Sequence, residues 1–161
     1  MFDVLVNTLN FESSKEQATL PGFLAQAAPR RPARGREGDV LALMVELTGS
    51  TPITPEQHQD LTQQLAARYF ATPGTVTAGI RLVAESLNNY ILNRNLRNAK
   101  EGWQAAANLS VAVIRRDSLY LGQAGCTHAY VVGRSEAQEF FDPDVAARSL
   151  AAQGLSIFGD H

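Results

Sequence analysis

Few side chains in this sequence combine a type and a spacing that could do chemistry. Glu46 closes the apolar run Val40 to Leu47 just before Thr48-Gly49-Ser50, where a carboxylate is either a ligand or a solvated strand end. Cys126 and His128 stand two apart, on strand positions of equal parity that share a face. A thiol and an imidazole so placed suggest a nucleophile and its base, but no third group is in view to orient the histidine. A small buried cysteine beside a surface histidine is the plainer expectation. Cys126, His128, His58 and His161 do not have the spacing of a recognised zinc site. Arg30, Arg31, Arg34 and Arg36 form a basic cluster that could grip a phosphorylated partner, although a basic loop is more often simply solvated. Gly49-Ser50-Thr51 precedes a helix but lacks the Gly-Lys-Ser/Thr ending and the βαβ setting of a phosphate cradle.

These residues must be positioned by the elements around them. Asp3 to Thr8 alternates as a strand would. The segment 11–38 carries Pro21-Gly22, Pro29, Pro32, Gly35 and the arginines, and is expected to be a long, flexible, exposed loop. Val40 to Leu47 reads as a buried strand. Thr54-Pro55-Glu56-Gln57 supplies an N-cap threonine, a proline at the first helical position and an early acid, so a helix begins there with Leu61, Leu65, Ala66 and Phe70 on one side. After Pro73-Gly74 a second helix is expected from Thr75 to Asn98, with Ile80, Val83, Leu87 and Ile91 as its buried stripe. Trp103 lies beyond it and is expected to cap the core. Leu109–Arg115, Leu119–Ala124, Thr127–Gly133 and Ala137–Phe141 then read as an antiparallel meander, with turns at Arg116-Asp117 and Arg134-Ser135-Glu136. Asp142-Pro143-Asp144 opens a last helix through Val145, Ala146, Leu150 and Ala151. The pattern is that of an α+β domain with helices packed on antiparallel sheet.

Composition narrows the functional classes. The chain has 161 residues, 45% of them apolar or aromatic, enough for one sizeable core, so a single domain over residues 1–161 is expected. A formal net charge of −2 gives no reason to expect nucleic-acid or anionic-membrane partners. One cysteine forbids an internal disulfide and suits a reducing compartment. The start lacks a secretory pattern and no stretch has the length of a membrane span, so a cytoplasmic protein is expected.

The stretch Ser110-Val111-Ala112-Val113-Ile114, Asp117-Ser118-Leu119-Tyr120-Leu121 and Gly125-Cys126-Thr127-His128-Ala129-Tyr130-Val131-Val132 resembles a region of the PPM (type 2C) metal-dependent serine/threonine protein phosphatases. There an apolar strand, a tight turn and a second strand lead into a Gly-Asp-Ser-Arg-Ala-Tyr motif, of which Gly125, Ala129 and Tyr130 are matched. Ala42 to Ser50 sits where the family has an apolar strand running into Asp-Gly-x-Gly-Gly. Phe140-Phe141-Asp142-Pro143-Asp144 and Gln153-Gly154-Leu155 resemble the family's later short strand, Asp-His pair and helix end.

The resemblance implies an α-β-β-α sandwich of antiparallel sheets flanked by helices, here incomplete at the C-terminus, and phosphomonoester hydrolysis by water activated between two Mg²⁺ or Mn²⁺ ions. By the same resemblance Glu46 takes the position of a metal-binding aspartate, and Glu16 is a weak counterpart of a second acid. Leu47 replaces a glycine that offers its carbonyl, Cys126 replaces an acid and His128 an arginine. Cysteine and histidine favour softer metals than magnesium. The family's later Ser-Asp-Gly and Asp-Asn motifs have no counterpart. No catalytic residue is therefore assigned. A pseudophosphatase without a bound metal is expected, acting as a binding or regulatory signalling module for a protein partner, phosphorylated or not, with some tendency to self-association. The alternatives are an active Mn²⁺/Mg²⁺-dependent phosphatase when complete, and an unrelated α+β interaction domain.

Overall fold

A computed structural model describes residues 4–17, 20–50 and 53–140. The expected last helix after Asp142, together with His161 and Thr51, lies outside the described residues. The chain forms, in order, β1 (Phe11–Glu12), β2 (Lys15–Glu16), β3 (Phe23–Ala27), β4 (Asp39–Gly49), α1 (Pro55–Ala71), α2 (Val76–Arg97), a 3₁₀ turn (Ala99–Glu101), β5 (Ala105–Arg115), β6 (Ser118–Ala124), β7 (Tyr130–Val132) and β8 (Ala137–Glu139). β3, β4, β5 and β6 make one antiparallel sheet in that order, and β1–β2 and β7–β8 are separate two-stranded ribbons. The architecture is α+β: a four-stranded antiparallel sheet with two helices on one face.

The helices begin and end where their caps dictate. The Thr54 side chain accepts from the Gln57 N–H and the Gln57 side chain accepts from the Thr54 N–H, a reciprocal pair that satisfies two orphan donors. Thr75 caps α2 in the same manner through the Ala78 N–H. The apolar stripe of α1 (Leu61, Leu65, Ala66, Phe70) and that of α2 (Ile80, Val83, Leu87) are buried as expected, with Ile91 packed at the margin. They lie on Leu41, Leu43 and Val45 of β4 and Leu109, Val111 and Val113 of β5, which alternate along each strand as a period of two requires. Burying each such aliphatic chain contributes about 1.5–3 kcal/mol before the entropy of ordering it is charged. Gly122 of β6 lets Ile80 reach the sheet, since a Cβ there would meet the Ile80 side chain.

Several expectations need correction. Residues 4–10 form no strand: their alternation is of strand type, but among the described residues they join no ladder, and only the Asn10 carbonyl, accepting the Gln17 N–H at 2.7 Å, prolongs the β1–β2 ribbon. The segment 11–38 is not one loop. It holds the β1–β2 ribbon and β3, whose five residues pair with Met44 to Val40 of β4. The four-strand meander is interrupted after β6, because β7 pairs with β8 alone, Tyr130 opposite Glu139 and Val132 opposite Ala137. Trp103 is exposed rather than a cap on the core.

Candidate functional site

Glu46 faces away from the helices. It has the parity of Val40, Ala42 and Met44, the outer row of β4, and directly opposite it on β5 stands Asn108. The Asn108 Nδ2 donates to Glu46 Oε2 at 2.8 Å, and the Asn108 Oδ1 accepts the backbone N–H of Cys126 at 3.0 Å. The next residue back, Gly125, has φ of 82°, and a Cβ there would overlap Asn108 Oδ1. Glycine is what lets the chain turn close over the asparagine. The structure thus joins two of the singled-out positions, Glu46 and Cys126, through a residue the sequence reading passed over. Its only signal was a lone amide in the strand Ala106-Ala107-Asn108-Leu109.

The other positions disperse. Leu47 points to the opposite face from Glu46 and packs on the core, so its side chain does not crowd the carboxylate. Glu16 lies exposed in the β1–β2 ribbon, opposite Phe11, in an element that among the described residues contacts no strand of the main sheet. Cys126 is exposed, not buried. His128 lies before β7, not on it, so strand parity does not put it on a face with Cys126. It does have an orienting group after all: its Nδ1 is 2.6 Å from Glu139 Oε1, and its ring stacks beside Tyr130 with centroids 6.4 Å apart. Among the described residues no hydrogen bond joins the Cys126 thiol to the imidazole. His58, named for the zinc set, is committed elsewhere, with Nε2 2.7 Å from the Val45 carbonyl oxygen. Among the described residues no cluster of three or more His, Cys, Asp or Glu side chains is arranged to hold a metal, and no helix is long and apolar enough to cross a membrane.

The arginine cluster also divides. Arg30, Arg31 and Arg34 are exposed, but Arg36 is completely buried. Its guanidinium donates to Thr72 O (3.2 Å), Tyr69 Oη (3.0 Å) and Thr75 O (3.1 Å) and lies over the Tyr69 ring, 4.1 Å from its centroid. It satisfies carbonyls at the corner between α1 and α2 and places positive charge at the C-terminus of α1. Buried Asp39 holds the network together. It receives Arg115 through Nε (2.6 Å) and Nη2 (2.7 Å) and the Tyr69 hydroxyl (2.7 Å), with Arg36 3.7 Å away. Burial, and then the hydrogen bond to Asp39, push the Tyr69 hydroxyl above its usual range against the pull of Arg36 and Arg115. The bond to Asp39 likewise raises Arg115. Every charged member is paired, which is what a buried polar cluster requires. Its role is to clamp the β3–β4 connection and the end of β5 to the helix corner.

The remaining chemistry is on the outer face of the sheet. Phe23, Ala25, Val40, Ala42, Met44, Ala112, Ile114 and Leu121 share it, half-exposed where the inner row is buried. A shallow cleft crosses it between Phe23 and Met44 on one side and Gln123, His128 and Ala129 on the other. Among the described residues Gln123 Nε2 and Thr127 Oγ1 are shielded from solvent and lack a hydrogen-bond partner. Compared with protein-family models, with curated proteins and with solved structures, the chain matches none of them.

Proposed function

We propose that the chain is a PPM-like pseudophosphatase domain, a binding or regulatory module whose working surface is the outer face of the sheet. One observation carries the proposal: among the described residues the sheet has helices on one face only, and its other face is an apolar field ending at Glu46 and Asn108. In the sandwich that the sequence resemblance implies, a second sheet would stack on that face, and Glu46 would sit at its edge. Here the Glu46 carboxylate is occupied by the Asn108 amide, and the neighbouring cysteine contributes its backbone N–H rather than an acid. Half of a sandwich with an amide-bonded carboxylate at its rim suits the holding of a protein segment better than the activation of water.

The test is turnover of p-nitrophenyl phosphate and of a phosphopeptide with Mn²⁺, alongside titration calorimetry with Mn²⁺, on the wild type and Glu46→Ala. The expected outcome is no turnover above background and no saturable heat that depends on Glu46. Mn²⁺-dependent hydrolysis abolished by the substitution would replace this reading with that of an active phosphatase.

A further inference from the structure

We propose that a second copy of this chain docks on the outer face, sheet upon sheet, about a two-fold axis that runs across the strands over a row of alanines. The inference rests on the reading of that face as the working surface and names its partner. Shape, charge and area lead to it.

The strand register sets the shape. Ala25, Ala42 and Ala112 stand side by side across β3, β4 and β5 and make a shallow row. Two positions toward Glu46 lie Phe23, Met44 and Ser110, and two positions the other way lie Ala27, Val40 and Ile114. A two-fold axis over the alanines reverses the strand direction and keeps the strand order, so each of these flanking rows meets the other. Phe23 then falls on the partner's Ala27, and Ser110 on the partner's Ile114. Large meets small, as packed sheet faces require. His128 and Ala129 wall the cleft beside Gln123, and the axis carries the partner's wall to the opposite end of β6.

Charge selects this axis. Among the residues of outer parity in the four strands, Glu46 is the one charged side chain. An axis along the strands would set one Glu46 row against the other, like charges at an apolar seam. The axis over the alanines brings Glu46 to an arginine instead. Its neighbour Asn108 is four positions before Ala112 on β5, and Arg116 is four positions after it, exposed in the turn to β6. An angle of about 30° between stacked sheets shifts these ends by about one strand spacing, which the length of an arginine side chain covers. Asn108 donates to Glu46 Oε2, and a carboxylate has a second oxygen to offer the partner's guanidinium. An isologous contact makes this pair twice.

The area is that of a reversible dimer. Strands of five to eleven residues, rising about 3.3 Å per residue and lying about 4.8 Å apart, give each face about 500 Å². Two faces bury about 1,000 Å², the lower limit of a specific interface.

Sedimentation velocity of the full chain over a dilution series reads the equilibrium. The wild type is expected to pass from monomer to dimer between micromolar and submillimolar concentration. Ala42→Asp sets a charge at the centre of the face and is expected to leave only monomer, with the far-ultraviolet circular dichroism unchanged. Glu46→Arg and Arg116→Asp are each expected to weaken association several-fold, and the double variant to recover most of the loss. Aspartate tolerates the left-handed backbone of position 116, so the charge exchange does not depend on the alanine variant. A wild type that stays monomeric throughout the range would overturn the proposal. So would a dimer that survives Ala42→Asp, which would move the contact to a sheet edge or a helix. A double variant no better than the weaker single one would refute the two-fold arrangement. None of these readouts involves Mn²⁺, so failure of the dimer and failure of the non-catalytic reading are separately visible.

Discussion

β4 carries a carboxylate near each end, and the two have opposite fates. Asp39 and Glu46 are both paired with the residue directly across on β5, Arg115 in one case and Asn108 in the other. Seven positions separate them, so the pleat sends them to opposite faces. Asp39 falls under the helices, is buried, and is met by two arginines and a tyrosine. Glu46 falls on the outer face, is exposed, and has the one asparagine. Parity and cover, not residue type, make one carboxylate an anchor of the fold and leave the other exposed, with a single amide partner.

The contrast is broken most severely at Asp39. Asp39→Ala leaves the fully buried Arg36 without its counter-charge, and losing one partner of a buried pair costs about 3–5 kcal/mol. A urea titration should show that loss as a large fall in midpoint, and a fall no larger than an exposed carboxylate gives would refute the anchoring role. Tyr69→Phe is next, at about 1–3 kcal/mol, because Asp39 loses a donor and Arg36 an acceptor. It also has a pH signature. The folded Tyr69 holds its proton more tightly than an unfolded tyrosine, whose pKa is about 10. The associated stability is complete below that value and drains away as pH rises toward the folded pKa. Urea midpoints measured between about pH 8 and 11 should fall more steeply for the wild type than for Tyr69→Phe, and parallel curves would contradict the Asp39 bond.

At the Glu46 end the effects are smaller. Gly125→Ala places a side chain in a left-handed backbone position against Asn108, which costs about 1–2 kcal/mol. Thermal unfolding should register it as a modest drop in Tm. Glu46→Ala should change stability by less than about 1 kcal/mol, as exposed charged contacts do. If it proved as costly as Asp39→Ala, the two ends of β4 would be alike and the comparison would fail.

The elements legible in the sequence were those whose signal is local. Thr54, Pro55 and Gln57 announce a helix start because the cap is built from neighbours in the chain. Ile80, Val83 and Leu87 announce a stripe because the helix itself supplies the period. β3 was not legible. Phe23-Leu24-Ala25-Gln26-Ala27 has no β-branched residue and follows Pro21-Gly22, so only its pairing with β4 makes it a strand. Arg36 looked like its exposed neighbours because nothing nearby in sequence foretells Tyr69 above it or the Thr72 and Thr75 carbonyls beside it. At the candidate site Glu46 was readable as a polar stop to an apolar run. Its partner was not, since Asn108 is 62 residues away and reaches Glu46 only through strand register.

The Asn95 side chain has a consequence in time. Its amide donates to the Ala105 carbonyl at 2.9 Å and accepts the Ala105 N–H at 2.7 Å, so it holds the first residue of β5 as a neighbouring strand would. The contact spans ten residues and can form as soon as α2 does, whereas Asp39 and Arg115 are 76 apart. Short loops close more readily than long ones. The β4–β5 ladder should therefore zip from Gly49 and Ala105 toward Asp39 and Arg115, and the charged clamp should be the last bolt to slide home. A stopped-flow chevron of Asp39→Ala would then show its damage mainly as faster unfolding, with the folding limb nearly unchanged.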